Sequence, residues 1–215
     1  MNFHLGMIDD ANSLVRRFHY SSRPPGNVQI VATFHLDGGL FGDKGECVAA
    51  IYFSIPPTRW SEQVLELSRL VRSEKCDVQL SILISRACKV LKQRNMIDLL
   101  VSFADSTQGH HGGIYQACSW NYDGKRDKRM DGLIVEGVFI PGRSCNSKFG
   151  TRSPDKLREQ LKCKVEPNYD EGKHLYWRAL NKSGIEKANR LGLKSLPYPK
   201  PDNINIREGE GAGDE

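Results

Sequence analysis

The sequence predicts an α/β (α+β) domain built on one mixed β-sheet with helices on both faces. Three observations predict it. Helix-period and strand-period segments alternate along the chain in the order helix, hairpin, strand, helix, strand, helix, then strands. Residues 97–103 (IDLLVSF) form a continuous apolar run of the kind found in a strand buried on both sides. The chain has 215 residues, 39% hydrophobic and 27% charged, enough for one packed core and too apolar for global disorder.

The elements follow in order. Residues 10–18 place Ala11, Leu14, Val15 and Phe18 at helical spacing, with Asp9 or Asp10 as the expected cap, and Pro24-Pro25-Gly26 breaks the pattern. Residues 28–36 and 46–55 read as the strands of a long-looped hairpin, its turn opening at Asp37-Gly38-Gly39 and its end marked by Pro56-Pro57. Residues 64–72 (VLELSRLVR) give a third strand. Residues 77–94 give a helix whose apolar stripe is Leu80, Leu83, Ile84, Ala87 and Leu91, with Arg86, Lys89, Lys92 and Arg94 facing out. After the run 97–103 come a polar Gly-rich loop, residues 105–113, and a short helix, 114–120. Strands at 133–140 and 175–180 and short helices at 154–163 and 183–193 complete the reading. Without internal repeats or an interior linker, residues 1–201 read as one domain and 202–215 as a disordered acidic tail.

The net charge of +5 is unevenly spread. The tail holds five acids (Asp202, Glu208, Glu210, Asp214, Glu215) against Arg207, a charge of −4, which leaves +9 on the body. Such a body suits a polyanionic partner, though charge alone fits a merely basic domain equally well. No run approaches the roughly 18 apolar residues that span a bilayer, so no membrane partner is expected. The N-terminus lacks the basic and apolar regions of a signal peptide, and a cytoplasmic location is expected. Cys47, Cys76, Cys88, Cys118, Cys145 and Cys163 are scattered without a CxxC pair and read as reduced, mostly core-filling thiols.

Chemistry concentrates in residues 103–120. A strand, a polar loop and a helix in succession place Asp105, Gln108, His110 and His111 beyond the carboxyl end of a central strand, where α/β sheets bind ligands. Gly109, Gly112 and Gly113 allow close backbone approach to a ligand. Asp105 is a base, a base-orienter or a helix cap. One of the adjacent histidines could join Asp105 and His19 around a metal, or both face solvent, since neighbours in extended chain point opposite ways. His19-Tyr20, at a helix end, either exchange protons or are a tyrosine packed on the hairpin beside a solvated histidine. Ser68-Arg69 interrupts an apolar strand, and a buried arginine needs an anion: Asp105, Glu66 or a ligand phosphate. Arg143, Lys148 and Arg152 lie in a hydroxyl-rich stretch that contacts phosphates or is a solvated loop. Trp120, Tyr122, Tyr176 and Trp177 either stack a flipped base or fill the core. No Walker loop, GxGxxG, HExxH or GxSxG occurs.

The segments Arg17-Phe18-His19-Tyr20 and Glu66-Leu67-Ser68-Arg69-Leu70, and above all the run SFADSTQGHHGGIYQA at 102–117, resemble the Mom family of phage DNA-modification proteins. The likeness continues through Trp120-Asn121-Tyr122-Asp123-Gly124 and Gly172-Lys173-His174-Leu175-Tyr176, covering most of residues 11–198. The resemblance implies a GNAT-like acyltransferase fold and conversion of adenine in DNA to its carbamoylmethyl form, protecting phage DNA from host restriction. It implies an active-site set of His19, Tyr20, Ser68, Arg69, Asp105 and Tyr115, with Ser81 more weakly, and a dependence on iron. Donor or DNA contacts are expected at Ser81, Gln108, Gly109, His110, Gly112, Gly113, Arg143 and Lys148.

One departure bears on the donor. Acetyl-CoA enzymes of that superfamily cradle the pyrophosphate in a Gly-rich turn at a helix N-terminus. Here the turn, residues 73–79 (SEKCDVQ), has no glycine and two acids. Glycyl-tRNA is therefore set beside acetyl-CoA as the activated acyl donor, with DNA, and tRNA in the first case, as partners. Two other readings stay open: a conventional GNAT acetyltransferase acting on a small amine or a protein lysine, and a non-catalytic DNA-binding anti-restriction protein.

Overall fold

The computed structural model describes residues 1–38, 45–56, 60 and 64–200, apart from the side chain of Arg143. Gly39 of the expected hairpin turn, Pro57 and the tail 202–215 lie outside the described residues.

The main sheet has seven strands, in the spatial order β1 (Asn2–Leu5), β2 (Val28–His35), β3 (Cys47–Ser54), β4 (Val64–Arg72), β5 (Leu99–Asp105), β10 (Lys173–Ala179) and β6 (Asn121–Lys125). All neighbours are antiparallel except β4 and β5, which run parallel. The period-2 alternation of side chains defines two faces. On one, Ile51 and Phe53 of β3, Leu65 and Leu67 of β4 and Leu100 of β5 pack with Leu83, Ile84, Ala87 and Leu91 of α2 (Leu80–Gln93) and Tyr115 of α3 (Gly113–Ala117). On the other, Ala50 and Tyr52 meet Ala11, Leu14 and Val15 of α1 (Ile8–Phe18), and Leu99, Val101 and Leu175 meet Ala188 of α6 (Lys182–Arg190). Each fully buried Leu or Ile contributes roughly 1.5–3 kcal/mol of transfer free energy, so these two layers hold the sheet in place. Helices on both faces are as the sequence predicts.

The single sheet is not. A second sheet, in the order β8 (Val138–Pro141), β7 (Met130–Val135), β9 (Val165–Tyr169), packs Leu133 and Val165 against Cys145 of α4 (Gly142–Phe149) and Leu157 of α5 (Pro154–Leu161). The run expected as one strand over 133–140 is a hairpin, because Glu136 and Gly137 take φ of 49° and 80°, the paired positive values of a two-residue turn. The stretch around Arg143 and Lys148, read as either a phosphate-contacting segment or a solvated loop, is α4, closed by Gly150 at φ 70°. Asp9 and Asp10 lie inside the first turn of α1, where their charge favours the helix dipole; neither is the cap, which is Met7.

Candidate active site

Two irregularities of β4 open the site. β4 and β5 pair only at Val64–Leu99, Leu65–Leu100 and Glu66–Val101, after which they no longer pair with each other on the way to Arg72 and Asp105. Parallel strands that part leave a cleft. At the same level β4 bulges: Tyr52 pairs with Arg69 and Phe53 with Leu67, so Ser68 is an extra residue. Regular alternation would send Ser68 and Arg69 to opposite faces, whereas the bulge lets both line the cleft. The resulting cavity, of about 430 Å³, brings together His19, Tyr20, Ser68, Arg69, Asp105 and Tyr115, all six residues of the expected set. The loop from Gly109 to Gly113 closes one side.

Asp105 serves the loop and the cavity together. Its Oδ1 accepts from the Thr107 N–H at 3.0 Å, capping a 3-10 turn (Ser106–Gln108), and its Oδ2 lies 3.4 Å from Nζ of Lys173. Lys173 stands opposite Asp105 in the β5–β10 register, which fixes that contact. The Tyr176 hydroxyl donates to the His111 carbonyl at 2.6 Å and accepts from Nε2 of Gln116 at 3.0 Å, so the loop is tied to the buried middle of β10.

His19 ends α1, half-buried. Its Nδ1 accepts from the Ser21 N–H at 3.1 Å. Burial, then the Arg69 guanidinium and then His110 pull its pKa down to about 4, so the ring is neutral near pH 7. The Tyr20 ring lies 4.3 Å from that of His19 and meets His110 edge-on at 6.2 Å, forming an exposed rim. Arg69 donates from Nη1 to the Ser68 carbonyl at 2.7 Å, while its Nε is buried with no hydrogen-bond partner. Of the three anions set out for Arg69, Asp105 is paired with Lys173 instead.

Tyr115 is buried, and burial pushes its hydroxyl up to about 12. That hydroxyl lies 2.7 Å from Oγ of Ser102, which is also 2.8 Å from the Leu67 carbonyl. Ser102 has a single proton. If Leu67 takes it, Tyr115 donates to Ser102; if Tyr115 takes it, the tyrosine proton is free for the cavity.

Other expected contacts lie elsewhere. Gln108 is exposed on the 3-10 turn and does not line the cavity, since the turn projects it to solvent. Ser81 lines a separate shallow groove with Ser85, Arg86 and Lys89, because the first turn of α2 carries it away from the cleft. Lys148 is exposed on α4 with Nζ 5.1 Å from the Phe149 ring, away from the cavity lining; Arg143 shares that helix, and its side chain lies outside the described residues. Trp120, Tyr122, Tyr176 and Trp177 are buried, with Tyr176 5.3 Å from Tyr115 and 5.1 Å from Tyr122, and so belong to the core. Among the described residues no three His, Cys, Asp or Glu side chains converge to hold a metal ion. The Nδ1 of His19 is taken by the Ser21 N–H, and no second histidine joins Asp105 in a three-donor cluster among the described residues, so the donor set does not fit the implied iron. Ser102 and Lys173 escaped the sequence reading as site residues. The one hydroxyl in the run LLVSFA was the only signal for Ser102, and Lys173 reaches Asp105 only through strand pairing.

The sequence matches the Mom protein family over residues 3–200. The chain belongs to the Mom protein family. Solved structures of similar outline are acetyltransferases. One from Bacillus subtilis in complex with CoA is 11% identical, with TM-score 0.45, and the match covers 84% of this chain and 99% of that one. The spermidine/spermine N-acetyltransferase SpeG from Vibrio cholerae, in complex with manganese ions, is 9% identical, with TM-score 0.45, covering 89% of this Mom-family chain and 95% of SpeG. A GNAT family acetyltransferase from Elizabethkingia anophelis with acetyl-CoA bound is 10% identical at TM-score 0.43, covering 83% and 97%. The dermonecrotic toxin LlSicTox-betaIA1 of Loxosceles laeta is 26% identical over 124 residues, 54% of this chain; the chain spans only 41% of that toxin's length. No helix among the described residues is long and apolar enough to cross a membrane.

Proposed function

We propose that the cleft between β4 and β5 is the active site of a DNA-modifying acyl transferase that converts adenine to its carbamoylmethyl form, protecting phage DNA from restriction. The observation that carries the reading is the convergence of His19, Tyr20, Ser68, Arg69, Asp105 and Tyr115 on one cavity of about 430 Å³. Membership in the Mom family supports it.

The exocyclic amine of adenine is a weak nucleophile, because its lone pair is delocalised into the ring. Transfer needs an activated acyl group and a base. As the amine nitrogen bonds to the acyl carbon, its proton passes to Asp105, whose carboxylate oxygens keep lone pairs beyond those used by Thr107 and Lys173. The bond from the acyl carbon to the donor's oxygen or sulfur breaks, and a tyrosine proton, from Tyr20 or Tyr115, goes to the leaving atom. The buried hydroxyl of Tyr115 stays protonated until it is used. Arg69, with its unpaired Nε, clamps the acyl carbonyl or a phosphate. The adenine must leave the duplex stack to enter the cavity, at a cost of a few kcal/mol. Gly109 and Gly112, at φ 69° and 88°, keep the loop backbone close to it.

Mass spectrometry of nucleosides from cells expressing the chain tests the reading. A carbamoylmethyl-adenine peak that disappears in the Asp105→Asn variant is the expected result. Unmodified DNA with an acetylated protein or polyamine pool would favour a conventional acetyltransferase, and unmodified DNA bound tightly by the protein would favour a non-catalytic module.

A further inference from the structure

His19 stands in the active-site set as a group able to exchange protons, yet its surroundings forbid that role. Nδ1 accepts from the Ser21 backbone N–H at 3.1 Å, and the Ser21 hydroxyl, which also reaches the Arg23 carbonyl at 3.3 Å, lies 2.9 Å from the same nitrogen. A backbone N–H has no lone pair and cannot turn to accept. Nδ1 must therefore be bare, and a neutral imidazole with a bare Nδ1 holds its proton on Nε2. The doubly protonated ring would set Nδ1–H against the Ser21 N–H. We infer that His19 is a fixed neutral hydrogen-bond donor, offering Nε2–H to the oxygen of the acyl group, with Ser21 as the residue that positions the ring and sets its tautomer.

The rest of the cavity agrees. Arg69, on β4, and His110, on the loop after β5, both oppose a positive charge on His19. Tyr20 lies against the ring, and Asp105, the carboxylate in the cavity lining, is paired with Lys173. A neutral donor suits an oxygen that becomes negative only during the reaction. When the adenine amine bonds to the acyl carbon, the carbonyl π pair moves onto oxygen, and Nε2–H stabilises that charge without giving up its proton. His19 therefore takes no proton from the amine, which leaves that task to Asp105. The oxygen it serves rests on the acyl-transfer reading; its tautomer does not.

Nitrogen NMR of the full chain carrying 15N-labelled histidine tests the tautomer directly. The His19 ring should show a protonated Nε2 and a bare Nδ1, unchanged from pH 8 down to pH 5. Protonation at Nδ1, or a doubly protonated ring at pH 6, would overturn the inference whatever the protein catalyses. Modification assays test the role. His19→Gln places an amide N–H near the Nε2 position and should keep activity within about tenfold, whereas His19→Asn and His19→Ala should lose roughly a hundredfold or more, the usual cost of removing one oxyanion donor. The rate should lack a pH limb near 6.5 belonging to His19. Such a limb, lost in His19→Gln, would show that the ring is a base. A bare Nδ1 and protonated Nε2 in a protein that modifies no DNA would support the tautomer while removing the acyl-transfer reading.

Discussion

A Cβ atom built on Gly112 would clash with Cε2 of Tyr176, so the loop and the buried middle of β10 meet at a residue that cannot carry a side chain. Gly112 also has φ 88°, a conformation that L side chains rarely adopt. The two constraints act together, and Tyr176 further holds the loop through its bond to the His111 carbonyl.

Gly112→Ala should therefore destabilise the protein by about 2–4 kcal/mol, from overpacking plus backbone strain. Tyr176→Phe keeps the ring and loses only the hydroxyl, costing about 1 kcal/mol. Thermal melts of both variants check the order. Equal, small losses would mean that the loop moves off the ring at no cost.

Asp105→Asn preserves an oxygen to cap Thr107 and removes the base, so modification should vanish while the melting temperature changes little. Tyr115→Phe should slow the reaction at least tenfold, about 1.4 kcal/mol in the barrier, if the hydroxyl delivers the proton. Ser102→Ala should lower the rate alongside it, since Ser102 governs which way the Tyr115 proton points. Full activity in all three would place the chemistry elsewhere.

Much of this site was legible because its residues cluster in two local segments, His19-Tyr20 and the run 102–117, and because β4 reads as Val64–Arg72 from its apolar residues alone. What escaped depends on distant partners. β6 (NYDGK) and β9 (VEPNY) hold residues that disfavour strands, and they pair because β10 and β7 lie beside them. β1 is four residues long and gains its place from β2. α4 (GRSCNSKF) is made mostly of poor helix formers and is stabilised through Cys145 in the second core. Ser68 and Arg69 look opposed on a regular strand, and only the bulge brings them to one side.

Stability should depend on pH through His19. Its folded pKa, about 4, lies below the ordinary 6.5, so between these values the unfolded chain binds more protons. Stability then falls as pH drops from 6.5 toward 4 and is insensitive to this group above that window. His19→Gln should flatten that part of a denaturant-midpoint profile measured from pH 4 to 8. An unchanged slope would assign the acid sensitivity to other groups.

Binding to nonspecific duplex DNA should weaken steeply with salt, as release of counterions by a body carrying +9 requires. Removing residues 203–215 takes away acidic side chains and should tighten that binding without abolishing modification. Fluorescence anisotropy across a salt series measures both effects, and weaker binding by the shortened chain would contradict them.

The donor can be identified from where the product's atoms come from. A carbamoylmethyl amine and a glycyl amide on the same adenine are isomers. If glycine were transferred from the ester of glycyl-tRNA, the adenine nitrogen would form an amide and the tRNA hydroxyl would leave. The free glycyl amine could then attack the ring carbon bearing that amide, closing a five-membered ring. Breaking the bond from ring carbon to amide nitrogen reopens it, and the expelled nitrogen takes the proton released by the new amine. The product is amine-linked carbamoylmethyl-adenine, reached without oxidant, reductant or a second nitrogen source. The turn at residues 73–79 carries Glu74 and Asp77, both exposed, which would set two like charges beside a CoA pyrophosphate docked there. Cells fed glycine labelled at nitrogen and both carbons should yield modified adenine carrying all three labels. The glycine nitrogen should be the one joined to the ring, and the former adenine nitrogen should end in the terminal amide. Purified protein should modify DNA with glycyl-tRNA and without acetyl-CoA. Label entering only from acetyl-CoA, or glycine nitrogen appearing in the terminal amide, would rule this route out.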